Sequence, residues 1–138
     1  MSLDAFTIIR SLVRRHMRDT GAFTPAESTM HAPVVVNLDL GEELIGWYRN
    51  PPPWEQEFVL FTTDAIICAD TMGTVRIPIS RIVDYDTPTK EPAPTQLWVR
   101  TRDETYRIRI AGSHGPQNRF KDIFSLTMLI QALIALSK

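Results

Sequence analysis

The side chains of this chain that could do chemistry are three histidines, one cysteine and a scatter of carboxylates. His16, His31 and His114 fall on a helix, a linker and a loop by pattern. No pair has metal-ligand spacing, and Cys68 adds no second thiol. No metal site, cofactor or catalytic set is therefore expected. His114 lies in Gly112-Ser113-His114-Gly115, where a neighbouring serine suggests a nucleophile and its base. A triad is made by geometry rather than adjacency, and the G-x-S-x-G elbow is missing. A small hydrolase using His114 and a carboxylate stays as one alternative. The same loop precedes a helix whose start, with Arg119 and Lys121, could hold an anion, but it lacks the G-x-x-x-x-G-K-[ST] phosphate loop. Asp84 and Asp86, two apart, could share one sheet face for acid–base work. Acids such as Glu42, Glu43, Asp64 and Asp70 read as solvated turn residues. Cys68 in Ile66-Ile67-Cys68-Ala69 reads as a buried thiol acting as a small hydrophobe.

Binding chemistry is better represented. Trp54 follows Pro51, Pro52 and Pro53. Prolines cannot donate to a sheet ladder, so this is a stiff connection. It either holds Trp54 out as an interface anchor or folds it back onto the sheet. Arg100 and Arg102, and separately Arg107 and Arg109, can each line a strand face. Those faces are either solvated or form a groove for an acidic partner. Arg49 and Pro52 complete the expected binding set. Arg10, Arg14 and Arg18 fall four apart in the first twenty residues, with Arg15 beside them. That basic face is either solvated, docked on the domain or a second copy, or placed against an anionic surface.

These residues need elements to hold them. At 138 residues the chain has the size of one domain and buries roughly two-thirds of its unfolded surface without needing a staple. A net charge of -1 argues against a dedicated nucleic-acid binder. One cysteine makes no internal disulfide, so a reducing compartment is expected. The first twenty residues lack an apolar signal region. The most hydrophobic run, Phe124 to Leu136, falls short of the ~20 residues of a membrane span. A soluble, cytoplasmic protein is expected.

The spacing of Phe6, Ile9, Val13 and Met17 predicts an amphipathic helix over 3–18, closed near Gly21. Residues 19–37 read as a linker, in which Val34-Val35-Val36 is a strand or a strap. From Leu38 the period shifts towards two and predicts seven strands: Glu43–Arg49, Gln56–Thr62, Ala65–Ala69, Thr74–Ile79, Ile82–Asp86, Gln96–Thr101 and Thr105–Ile110. A helix over Asn118–Ser137, apolar on most sides, closes the chain. Its surplus apolar surface, with that of the first helix, makes Phe6, Ile9, Val13, Met128, Leu129 and Leu136 candidate interface residues. The division is residues 1–37 (helix and linker) and 38–138 (the domain).

Three segments carry a resemblance: Gly41-Glu42-Glu43-Leu44-Ile45, Phe58-Val59-Leu60-Phe61-Thr62-Thr63-Asp64 and Ile77-Pro78-Ile79-Ser80-Arg81-Ile82. With them, residues 38–137 resemble a bacterial pleckstrin-homology-like (PH-like) domain. The resemblance implies a mainly β fold with α: a seven-stranded antiparallel barrel or orthogonal sandwich capped by the C-terminal helix, here with an added N-terminal amphipathic helix. In eukaryotic relatives, basic residues at the end of the first strand and the start of the second bind phosphoinositides. Here those positions hold Arg49 alone, opposed by Glu55 and Glu57. The expected function is a non-enzymatic protein-interaction or assembly module whose protein partner is itself, through the helices. One alternative is a peripheral binder of anionic lipid or ligand using Trp54, Arg49 and the first helix. Another is an immunity or accessory protein of a toxin or secretion system.

Overall fold

The computed structural model describes residues 3–20, 22–26, 37–86, 95–112 and 121–136. Among them are eight strands, two α-helices and two 3-10 turns. Helix α1 (Leu3–Met17) forms where the apolar spacing predicts it, and buries Ile9, Val13 and Met17 completely. The position expected to close it, Gly21, lies outside the described residues, as do Val34–Val36, His31, His114, Asn118 and Arg119.

Strand β1 (Phe23–Pro25) rises from the stretch read as a linker. Three residues are too few for a period to be legible. Its existence depends on a partner twenty residues on: Phe23 pairs with Tyr48 and Pro25 with Gly46 in β2 (Leu44–Arg49). A Cβ at Gly46 would lie 2.3 Å from the Phe23 ring and 2.6 Å from the Thr24 carbonyl, so the absent side chain makes room for β1. Being outermost, β1 tolerates its proline.

Strands β2, β3 (Phe58–Thr62), β4 (Ala65–Asp70) and β5 (Gly73–Pro78) follow as an antiparallel meander, giving a five-stranded sheet in chain order. A 3-10 turn, Ile79–Arg81, leads into β6 (Ile82–Tyr85). This strand pairs with β7 (Gln96–Thr101), and β7 with β8 (Thr105–Arg109), in a separate three-stranded antiparallel sheet. The fold is thus mainly β with α. Seven strands follow Leu38 as expected, and β1 adds an eighth among the described residues. Of the two expected forms, a barrel or a two-sheet sandwich, the closed barrel is corrected: the strands make two separate sheets.

Alternation sorts the side chains. From β2, β3 and β4, residues Ile45, Tyr48, Val59, Phe61 and Ile66 enter the main core. Trp47, Leu60, Ala65, Ile67 and Ala69 form a second cluster. Both faces of β2, β3 and β4 are largely buried, so these strands read as nearly continuous apolar runs, whereas β5 is mostly exposed. β8 keeps the simple pattern, with Ile108 buried and Arg107 exposed. Helix α2 (Lys121–Leu136) sends Ile123, Leu126, Leu129, Ile130 and Leu133 into the main core, beside Leu97, Val99 and Ile108 of the smaller sheet. It also packs along α1. Helix α1 and Phe23 of β1 therefore share one core with the rest.

Candidate functional site

Two of the resemblance segments meet. Glu42 is not a solvated turn acid, because its carboxylate is buried. It accepts hydrogen bonds from the Thr62 hydroxyl, from Arg76 and, at 2.8 Å, from the Asp39 amide. Arg76 also reaches Asp39 at 3.2 Å. Burial alone would raise the Glu42 pKa, but the bonds from Thr62, Arg76 and Asp39 outweigh it and hold the carboxyl below its ordinary range. Glu43 binds the Thr63 hydroxyl through its amide at 3.0 Å and pairs its carboxylate with Arg10 of α1. The motif is a latch tying the entry of β2 to the β3–β4 turn and to α1. It offers no open chemistry.

A second buried group passed unnoticed in the sequence. The Tyr48 hydroxyl donates to Asp122 at 2.6 Å and accepts from the Gly112 amide at 2.8 Å. Burial, reinforced by the Asp122 carboxylate, pushes the phenol well above its ordinary value, so it stays protonated. A Cβ on Gly112 would sit 2.3 Å from that hydroxyl. Gly112, read only as loop punctuation, is required by this contact. An apolar strand flanking Tyr48 and a distant helix gave no signal that the two would meet.

Of the expected binding residues, Trp54, Arg107 and Arg109 meet around Glu57 at the seam between the sheets. Trp54 folds back rather than projecting. It is half-buried, and the Arg109 guanidinium lies 5.1 Å from its ring centroid. Arg109 and Arg107 both reach Glu57, at 3.3 and 3.2 Å, and Arg109 donates to the Thr95 hydroxyl at 2.6 Å. Arg49 stacks on Phe58 at 5.5 Å, while Pro52 is exposed at the loop tip. Asn50, buried beneath, donates to the carbonyls of Glu57 and Arg109 and accepts from the Ala111 amide. Beside this cluster runs a cleft of about 330 Å³, lined among others by Phe58, Cys68, Val75 and Tyr106. Its charged lining is Glu57, Asp70 and Glu104 against Arg107 and Arg109, which disfavours an anionic guest.

Arg100 is also engaged, bonded to Asp84 at 2.6 Å and Asp86 at 2.5 Å. The two aspartates do share a face, but as partners of an arginine rather than as an acid–base pair. Arg102 sits apart, lining a cleft with Arg81, Asp103 and Ile134. Burial drives the Cys68 thiol up to about 12, which leaves it inert at neutral pH. Among the described residues no three His, Cys, Asp or Glu side chains converge as a metal-holding group. No described helix is long and apolar enough to cross a membrane.

The helices divide the interface candidates. Ile9, Val13 and Leu129 are wholly buried within the protomer, because α1 and α2 cover each other; an intermolecular role for them is corrected to an internal one. Phe6 and Leu136 are half-buried. Met128 is 42% exposed, and one turn before it Phe124 is 63% exposed. Phe124, Met128, Gln131 and Ala135 form an outward stripe on α2, and Ile123–Leu136 carries no charge at all. Compared with protein-family models, with curated proteins and with solved structures, the chain has no significant match in any of the three.

Proposed function

We propose that this protein is a non-enzymatic interaction module of the PH-like superfold, which self-associates through the outward stripe of α2. The order of elements after Leu38 supports the superfold reading: four antiparallel strands, then three, then a helix. The observation that carries the functional reading is the exposed Phe124 and Met128 on a helix face without charge. An apolar helix face normally needs a cover.

A second copy suits it by shape. In an antiparallel pair about a twofold axis, Phe124 of one stripe faces Ala135 of the other, and Met128 faces Gln131. The large Phe124 meets the small Ala135, and the same patch serves both partners, as an isologous contact requires. The latch around Glu42 and the inert Cys68 thiol do structural work, in keeping with a non-enzymatic role.

Sedimentation equilibrium tests the reading. The wild type is expected to dimerise. Phe124→Asp with Met128→Lys is expected to sediment as a monomer with its melting temperature nearly unchanged, since neither side chain supports the core. A wild type that stays monomeric at high concentration ends the self-association reading.

A further inference from the structure

We propose that the outward face of α1 is a binding site for multiply charged phosphate groups, separate from the α2 stripe. Four arginines and one aspartate lie between Leu3 and Arg18 in a chain whose net charge is -1, so positive charge is concentrated here well above the average. The fold decides where it points. Ile9, Val13 and Met17 anchor the helix in the core, which turns Arg14, Arg15 and Arg18 outward. The Glu43 pairing holds Arg10 at the flank of the same face.

Helical geometry then arranges two adjacent rows, Arg10–Arg14–Arg18 and Thr7–Ser11–Arg15, each stepping about 6 Å per residue pair. Between them lies a shallow cleft of about 550 Å³ lined, among the described residues, by these six side chains: four guanidiniums and two hydroxyls. Guanidiniums are planar forks matched to phosphate oxygens, and hydroxyls add donors where a fork does not reach. Arg14 and Arg18 also make contacts within the chain. A guanidinium carries five N–H donors, so it can keep a neighbour and face a second acceptor. The buried apolar face rules out insertion of this helix into lipid while the fold is intact. A ligand must therefore be met from the surface, by charge and hydrogen bonding. The cleft at the sheet seam makes a contrast, since its three carboxylates oppose such a guest.

The shared chemistry is a phosphate polyanion, either free in solution or presented by lipid headgroups. Calorimetric titration with tripolyphosphate probes the first source. Flotation with phosphatidylglycerol vesicles, against phosphatidylcholine vesicles, probes the second. Binding of tripolyphosphate alone assigns a free ligand, and binding of phosphatidylglycerol vesicles assigns a headgroup surface. Either supports the site, provided that Arg14→Gln/Arg15→Gln/Arg18→Gln weakens it by roughly tenfold or more and added salt weakens it further. The control, Thr71→Glu/Thr74→Glu/Arg81→Gln, lowers the net charge by the same three units at exposed positions outside α1 and is expected to bind as the wild type does. Should the α1 variant not fold, amide shifts of the wild type on adding tripolyphosphate must map to residues 7–18. No binding of either probe, an equal loss in the control, or shifts mapping elsewhere overturns the proposal.

Discussion

A buried carboxylate survives only if its charge is answered, and Glu42 is answered by a hydroxyl, an amide and Arg76. Its pKa lies below the ordinary 4.5, so the folded state gains stability from the ionised form. That gain is complete above the ordinary value and is lost as pH falls through the lower, folded one. His16 acts with the same sign in a higher window. Burial, then the neighbouring Arg15, lower its pKa from 6.5, so folding favours the neutral ring and stability falls as acid protonates the unfolded chain. A melting-temperature profile is therefore expected to decline in two stages, beginning near pH 6.5 and again below 4.5. Glu42→Gln should cost about 1–3 kcal/mol at neutral pH and flatten the lower stage. An unchanged acid limb in that variant would show that Glu42 does not carry it.

At the scale of elements, the small strand β1 owes its place to a residue in another strand. Gly46 lacks the Cβ that would collide with the Phe23 ring and the Thr24 carbonyl. The Phe23 ring meets Phe61 edge-on at 6.0 Å, which ties the outer strand to the core. Gly46→Ala should unseat β1 and cost about 1–3 kcal/mol, as overpacking does. Hydrogen exchange is the measurement. The amides of Thr24 and Ala26, which face β2, are expected to exchange faster in the variant while β3 and β4 keep their protection, and uniform protection would refute the account. α2 shows the other side of the same principle. Its inward residues stabilise the core and its outward Phe124 does not, so the two faces answer to different experiments.

At the scale of the molecule, the two sheets share no ladder and are joined by side chains. Asn50 spans them, with bonds of 2.8 Å to the Glu57 carbonyl, 3.1 Å to that of Arg109 and 2.7 Å from the Ala111 amide. Tyr48 joins the larger sheet to α2 in the same way. Asn50→Ala strands these backbone groups away from water and should cost about 3 kcal/mol. Urea denaturation should show a lower midpoint with an unchanged slope. A midpoint that does not move would mean that the sheets are held together elsewhere.

How much of this was legible follows from where each signal resides. Periodicity is local, so α1, the seven strands after Leu38 and α2 could be read from residue spacing, with ends off by a residue or a few. The alternation of β8 separates its buried Ile108 from its exposed Arg107, whereas Arg109 on the same side as Arg107 is drawn in by Trp54 and Glu57. A contact between distant segments leaves no such mark. The pairing of Phe23 with Tyr48, the bond from Tyr48 to Asp122, the return of Trp54 onto Arg109 and the exposure of Phe124 were decided only when the chain closed on itself. Composition determined which side chains were present and which faces would be apolar. Tertiary packing decided which of those faces the protomer covers and which it leaves outward, because covering a face takes a partner surface that residues adjacent in sequence do not supply.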